Sequence, residues 1–423
     1  MAALERRSWP GSRDFSLPRR DRKPGIYYTY IPDKLVGRAF LFYGNDTADI
    51  ADAEREIASL DRTTTTLVDT EALARLLLRA ESVASSRIES LELPAGRLLR
   101  ADAARQMGEQ LSDVTAGEVL ANIDAMEFVL HAVAPGTAIT VDMLLEAHRR
   151  LLAPTRLAAF GGATRTTQNW IGKSDFTPCD ADFVPPPHDL VRDYLEDLCT
   201  FCNDDALPAV AQAAIAHAQF ETIHPFVDGN GRVGRALIHM VFRRRALTVR
   251  VSPPVSLVLA TRSRDYISGL EATRYVGASN SPEAVAGISR WLATFASACR
   301  ASVAEATGFE QRIQAVRAHW TKRLGSLRSD AAAVKLLSVL PGAPLISAAT
   351  ASKLIDRSLQ ATVVGIERLV GVGILKPTLV GRQRGQVYEA VDVVEEFARL
   401  ERQLASPVHD TKVAQPVRPV RKL

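Results

Sequence analysis

The chain has 423 residues, 47% of them hydrophobic and 24% charged, which is too long for one compact core and predicts two or three domains. Mean hydropathy is −0.01, and no apolar run approaches the ~20 residues of a membrane helix, so neither a membrane-spanning protein nor a membrane partner is expected. The first residues, MAALERRSWPGSRDFSLPRRDRK, are basic but lack the apolar stretch of a secretory signal. Four cysteines in this length do not make a disulfide framework and fit a reducing, cytoplasmic location.

The net charge of +4 is unevenly spread. Residues 1–24 carry seven Arg/Lys against three Asp/Glu, and residues 403–423 carry four against one, which leaves the rest of the chain about −3. Both stretches contain proline and show no structural period, so they are expected to be disordered basic tails.

GIYYTYIPDKL, from Gly25, reads as an extended segment closed by Pro32. Helical text begins near Ala48, where Ile50, Ala53, Ile57 and Leu60 recur close to every 3.6 residues. It continues through TEALARLLLRAESVASSRIESLE to Pro94, and resumes in SDVTAGEVLANIDAMEFVLHAV and TVDMLLEAHRRLL, where Thr140 marks a helix start. GGATRTTQNWIGKSDFTPCDADFVPPPHDLV breaks the pattern and reads as a short hairpin or long functional loop, with Pro185–Pro187 holding an extended stretch. Helices return at LVRDYLEDLCTFC, PAVAQAAIAHAQFETI, GRVGRALIHMVFRRR, RDYISGLEATR and PEAVAGISRWLATFASACRASVAEA, the last running on to about Leu327. After Ser329 the text reads helix, helix, helix and two short strands. The second of these helices starts after Ser347, and the third spans about Leu359 to Leu369. VYEA after GRQRG forms a wing, which makes a winged helix-turn-helix pattern.

The most informative stretch is HAQFETIHPFVDGNGRVGR, residues 217–235. Pro225 disfavours helix at His224 and turns the chain. The glycines of Asp228-Gly229-Asn230-Gly231 let backbone N–H groups approach an anion, and the following helix adds its positive N-terminal end. Arg232 and Arg235, at i and i+3, can face one ligand. Asp228 beside a phosphate suits magnesium, and His224 is the natural proton acceptor. Together these residue types describe a nucleotide polyphosphate site with a base beside it. The G-x-G-x-x-G at Gly229–Gly234 is not a dinucleotide fingerprint, because helix rather than strand precedes it. His217, Glu221 and His224 share a helical face, but their spacing is not that of a zinc motif, and a structural role fits His217 and Glu221 better.

His224-Pro225-Phe226-Val227-Asp228-Gly229-Asn230-Gly231-Arg232-Val233-Gly234-Arg235 resembles the full signature of the Fic (filamentation induced by cAMP) family. The resemblance runs from about Tyr27 to Arg300 and includes flap-like QNWIG and FVPPP segments. It implies a mainly α fold, a Fic-type helical core with a short β-hairpin flap. It also implies transfer of AMP from ATP to a Tyr, Ser or Thr hydroxyl of a target protein, with removal of AMP as the reverse. His224 would deprotonate the hydroxyl, Asp228 would hold Mg²⁺ (or Mn²⁺), Gly229, Asn230 and Gly231 would cradle phosphates, and Arg232 and Arg235 would bind the β- and γ-phosphates. Position 231 carries Lys in the Doc-like phosphorylating toxins and Gly here, which leaves room for a triphosphate. A phosphocholine-transferring relative exists, so the loop alone leaves the transferred group open. Tyr266 is similar in position to a residue on the family's adenine side, where stacking and a core role are both open.

Ser85-Ser86-Arg87-Ile88-Glu89-Ser90 resembles the family's inhibitory helix, (S/T)-x-x-x-E-(G/N), with Ser90 standing where the pattern has Gly or Asn. By that resemblance Glu89 would pair with Arg235 and exclude the γ-phosphate, with Ser85 as the hydroxyl of the motif. In the flap, Trp170, Ile171 and Gly172 would dock the target by strand addition, although Trp170 packing under the hairpin is equally open. Cys199 and Cys202 form a single C-x-x-C, too few ligands for structural zinc, and read as partly buried helix residues.

The expected domains are a disordered basic tail 1–24, an N-terminal helical region with the inhibitory helix 25–115, a Fic catalytic core 116–327, a winged helix-turn-helix domain 328–402 and a second tail 403–423. The partners left open are an unknown target protein on the flap, a second copy of the chain, and DNA at the winged helix. The alternative function is a winged-helix DNA-binding regulator whose core transfers another phosphate-containing group or is silent. The third helix offers only Gln360 and Arg368 for base reading, and the wing offers Arg382 and Arg384 for phosphates.

Overall fold

A computed structural model describes residues 1–12, 14–63, 70–172, 174, 176–381 and 385–405. Strands β1 Ala3–Trp9 and β2 Gly25–Ile31 come first, followed by helices α1 Gly44–Thr63, α2 Thr70–Ile88, α3 Ala95–Gln106, α4 Val114–Ala132 and α5 Val141–Leu152. A hairpin, β3 Ile171–Gly172 and β4 Ala181–Phe183, precedes α6 Val191–Cys202, α7 Ala209–Ile223 and α8 Asn230–Arg244. Next are α9 Val255–Thr261, α10 Ser263–Ala272 and the long α11 Pro282–Leu324. The C-terminal elements are α12 Ala332–Val339, β5 Leu345–Ile346, α13 Ala348–Ile355, α14 Leu359–Gly371, β6 Lys376–Val380, β7 Gly385–Glu389 and α15 Val391–Ala405. None of the described helices is long and apolar enough to cross a membrane.

The chain divides into two compact units. The first comprises residues 1–58, 124–249 and 265–300. Its centre is α7, whose fifteen residues are all buried, so the helix shows no polar face in sequence. Its alanines let α6 and α8 approach closely, and Trp291 of α11 donates Nε1–H to the Ala214 carbonyl at 2.7 Å. Thr140 caps α5 as expected, accepting the Met143 N–H at 3.3 Å.

Residues 1–24 are not a disordered tail. β1 pairs antiparallel with β2 along seven residues, Ala3 opposite Ile31 to Trp9 opposite Gly25. Ala2 is buried in a cluster with Tyr30, Tyr275 and Ala284, and Trp9 packs edge-to-face on Trp170. LERRSW hides this strand because its exposed residues show no alternation. Backbone pairing to the β-prone Tyr27–Tyr30 and the two end anchors hold it.

The second unit comprises 59–123, 250–264 and 301–423. Helix α3 was not legible: its buried stripe, Ala95, Leu98, Leu99, Asp102 and Ala103, has ideal spacing but contains an aspartate. Asp102 is held by Arg79 at 2.8 Å and Arg105 at 3.2 Å, which compensates its burial. Among the C-terminal elements Ser347 caps α13, and two lie beyond the expected three helices and two strands: β5, which makes the sheet β5-β7-β6, and α15, which buries Val393, Phe397 and Leu400. Arg382, Arg384 and residues 406–423 lie outside the described residues. The exposed positions of α14 are Leu359, Gln360, Val364, Glu367, Arg368 and Gly371. One arginine beside a glutamate is a poor base-reading set.

The turn after α2 explains the motif around Glu89. The Leu91 N–H bonds the Ser86 carbonyl at 3.0 Å and the Ser90 N–H bonds that of Arg87 at 2.9 Å, a Schellman closure with Ser90 at φ 63°. That is the left-handed position where Gly or Asn is favoured, so Ser90 occupies the pattern's Gly/Asn site at some strain. Ser90→Gly should therefore raise the unfolding free energy by about 1 kcal/mol, read as a higher thermal midpoint. A lower midpoint would contradict this assignment of the turn.

Candidate active site

The site is built on the junction of α7 and α8 in the first unit. α7 ends at Ile223, and His224 takes the left-handed conformation, φ 49° and ψ 61°, as its C-cap. A non-glycine residue there needs support. Arg165, 2% exposed, supplies it. Its backbone N–H bonds the Pro225 carbonyl at 2.8 Å. Its Nε donates to the His224 carbonyl at 2.9 Å and its Nη2 to that of Ile223 at 3.3 Å. Nη1 reaches the Thr167 carbonyl at 3.2 Å and Nη2 also the Pro186 carbonyl. A cation thus sits on the carbonyl end of α7 and ties both ends of the flap to His224. Burial pushes Arg165 down to about 10, so it stays charged at neutral pH. Asn169 of the flap adds Nδ2 bonds to the carbonyls of His224 at 3.3 Å and Phe226 at 3.1 Å.

The loop is pinned from within. The Asn230 side chain closes on Phe226, accepting its N–H at 2.8 Å and donating to its carbonyl at 2.9 Å. The Asn230 side chain thus holds the loop, and its backbone N–H lies in the first turn of α8 with that of Gly231. Gly229, at φ 80°, is the N-cap of α8, with no side chain capping the helix. The first-turn N–H groups are left for a ligand. Added at Gly229, a Cβ would lie 2.8 Å from Leu151 Cδ2.

His148, fully buried on α5, supports the loop from below. Its ring stacks on Phe226 with centroids 3.7 Å apart. Its Nδ1 accepts the Gly162 N–H at 3.1 Å, so Nε2 carries the proton and donates to the Asp228 carbonyl at 3.1 Å. Burial pushes this imidazole down to about 4, which keeps it neutral. Neither Arg165 nor His148 was identified from sequence. The one available signal was a histidine inside the buried stripe Val141, Leu144, Ala147, His148, Leu151 of α5.

The reactive groups face this scaffold. His224 Nδ1 lies 4.0 Å from Glu221 Oε2. Asp228 is about half exposed; its Oδ1 accepts the Gly229 N–H at 2.7 Å, and Oδ2 lies 3.3 Å from Arg232 Nη2. Arg232 is 3% exposed, with Nε and Nη1 buried and without a hydrogen-bond partner. Arg235, one turn on, is 1% exposed. No group of three or more potential metal ligands occurs among the described residues. The lone Asp228 carboxylate still fits Mg²⁺, which takes one or two carboxylates and completes its shell with water and substrate phosphate.

Tyr266 is not placed for stacking on a base. It is 4% exposed, its hydroxyl bonds His217 Nε2 at 2.8 Å, and its ring is stacked on His217 and tilted against Trp291. Burial, and after it the charge of Arg235, pushes His217 down to about 3, in keeping with a structural histidine. Trp170 is turned into the hairpin, its Nε1 donating to the Ser174 carbonyl at 2.6 Å, while Ile171 is 40% exposed. Gly172, at φ 150°, leaves no room for a side chain: a Cβ would lie 2.5 Å from the Asp182 nitrogen. Cys199 and Cys202 are buried in α6, and burial raises both thiols, Cys199 to about 12. In the second unit, Ser85 is fully buried in α2, beside the Ser82, Ser86 and Asn122 network. Glu89 follows the last residue of α2.

Residues 138–242 match the Fic/DOC family and residues 47–131 match the Fic/DOC family N-terminal region. Protein adenylyltransferase fic-1 of Caenorhabditis briggsae is 35% identical over 133 residues, 31% of this chain and 23% of that protein. The probable protein adenylyltransferase aq_aa38 of Aquifex aeolicus is 37% identical over 100 residues, 23% of this chain and 28% of that protein. The chain thus spans about a quarter of the length of these curated relatives. A Fic family protein from Desulfovibrio desulfuricans G20 superposes with a TM-score of 0.49 at 21% identity, covering 81% of this chain and 95% of that one. Fic-1 of Caenorhabditis elegans gives 0.44 at 24% identity, covering 63% and 74%. Across residues 47–131 and 138–242, this chain carries a Fic/DOC-family N-terminal region followed by a Fic/DOC-family domain.

Proposed function

We propose that the chain is a self-inhibited protein adenylyltransferase that moves AMP from ATP to a hydroxyl of a target protein. The observation that carries this is Arg232: a guanidinium with buried, unpartnered Nε and Nη1 beside an uncapped helix N-terminus is built to receive a polyphosphate. His224 takes the proton of the target hydroxyl, whose oxygen forms a bond to the α-phosphorus. The bond from that phosphorus to the bridging oxygen breaks, and its electron pair leaves with diphosphate, whose charge Arg232 and Arg235 offset. Glu221, beneath the imidazole, stabilises it once protonated. Asp228 would hold Mg²⁺, which when bound neutralises phosphate charge. The curated relatives named as adenylyltransferases support AMP as the transferred group.

Glu89 serves as the brake, competing with the γ-phosphate for Arg235. Ile171 and the open edge of β3 receive the target. Arg232→Ala should weaken ATP binding about 10–100-fold, the value of one or two charge-assisted hydrogen bonds, measured by calorimetry with Mg²⁺ present. Unchanged affinity would refute the polyphosphate assignment.

A further inference from the structure

We propose that residues 1–24 form a strap that completes the target-docking surface and selects targets with acidic residues beside the modified hydroxyl. The inference rests on the reading above that the β3–β4 hairpin receives the target.

The strap grips both flanks of β3. Before it, Trp170 packs on Trp9 with ring centroids 5.8 Å apart at 72°. After it, Ser174 donates Oγ–H to Asp21 Oδ1 at 3.0 Å. β3 pairs only with β4 among the described residues, so its outer edge is open between these two anchors. A strand added there must lie against the strap.

The strap's exposed charge is mostly positive. Among its described residues Arg6, Arg7, Arg19, Arg20 and Lys23 are exposed against Glu5 and Asp14. Glu5 is paired with Arg7 at 2.7 Å, and Asp21 is buried on Ser174. Arg20, 3.6 Å from Asp21 at the second anchor, keeps its side chain 83% exposed. Arg7 shares a face of β1 with Trp9 at the first anchor. Among the described residues, the hairpin's exposed carboxylates, Asp180 and Asp182, lie on the β4 side, away from the open edge. An incoming strand therefore meets the exposed Arg20 at the second anchor, while at the first Arg7 is shared with Glu5 on the same face. The open edge of β3 offers main-chain hydrogen-bonding groups, which an extended peptide matches and a nucleic acid does not.

The test uses the full chain and fluorescein-labelled peptides, each bearing Tyr, Ser and Thr between acidic, neutral or lysine-rich flanks, with binding read by anisotropy. The acidic peptide should bind about tenfold tighter than the lysine-rich one at low salt, with the difference collapsing above about 0.3 M salt. Arg19→Glu/Arg20→Glu/Lys23→Glu changes only exposed side chains and should abolish the preference while leaving ATP affinity unchanged. Trp9→Ala/Ser174→Ala, which removes both anchors of the strap on the hairpin, should abolish it as well. Equal binding of the peptides, a preference that survives both variants, or displacement of the peptide by single-stranded DNA at lower concentration than by unlabelled acidic peptide would overturn the proposal. Peptide binding requires neither ATP nor transfer. Acidic preference without AMP transfer would leave the strap standing and refute the activity, and transfer without preference would do the reverse.

Discussion

Arg165→Ala should cost about 3–5 kcal/mol of stability and lower turnover about 100-fold in the protein that still folds. The side chain is buried, and its removal leaves the carbonyls of Ile223, His224, Thr167 and Pro186 without that donor. A buried acceptor left unmet costs about 1–3 kcal/mol, and the loop's relaxation recovers part of the sum. The effect on turnover has a separate origin: His224 is held in the left-handed region by contacts at its carbonyl, and displacing the imidazole by about 1 Å is enough to lose the base. Arg165→Lys keeps the charge but cannot span four carbonyls, so it should recover some stability and little turnover. Denaturant unfolding and single-turnover rates on the same samples separate the two effects. Full activity in Arg165→Ala would show that His224 does not depend on this clamp.

Gly234→Ala should destabilise the protein by about 1–3 kcal/mol and reduce transfer at least 100-fold. In an isolated helix the same change would gain about 1 kcal/mol, so the sign is diagnostic. A Cβ at position 234 would lie 2.4 Å from Glu221 Oε1, 3.0 Å from Phe220 Cδ1 and 3.2 Å from His217 Nδ1. Of these the Glu221 carboxylate moves most easily, but it is the group facing His224 Nδ1. If α8 moves instead, Arg232 and Arg235 move with it. Either adjustment harms the site, and a stabilised, active variant would contradict the packing of α7 against α8.

These two positions also show what sequence can and cannot disclose. Gly234 belongs to the dense run from His224 to Arg235, where each residue type has a local use, and the loop is legible there without the fold. Asn230 was legible as a loop residue but not in its task, because the pairing of its amide with Phe226 depends on how the loop closes. Arg165 and His148 act on carbonyls 59 and 80 residues away, and no period or local spacing records such a contact. Helix α3 was masked by a buried aspartate whose partner, Arg79, lies on another helix. The first strand was masked because pairing with β2, rather than its own apolar pattern, holds it. The helices with clean 3.6-residue stripes and the capping residues Thr140 and Ser347 were readable, since their causes are local.

The central claim, AMP transfer at His224 under restraint by Glu89, is tested most directly by incorporation of label from α-phosphate-labelled ATP with Mg²⁺ in a lysate of the protein's own cells. The parent, Glu89→Gly, and Glu89→Gly with His224→Ala are compared. Weak labelling by the parent, strong labelling by Glu89→Gly and loss of at least 100-fold on adding His224→Ala is the predicted result, and the labelled band identifies the target. Labelling that persists without His224, or no label from any of the three proteins, would contradict it.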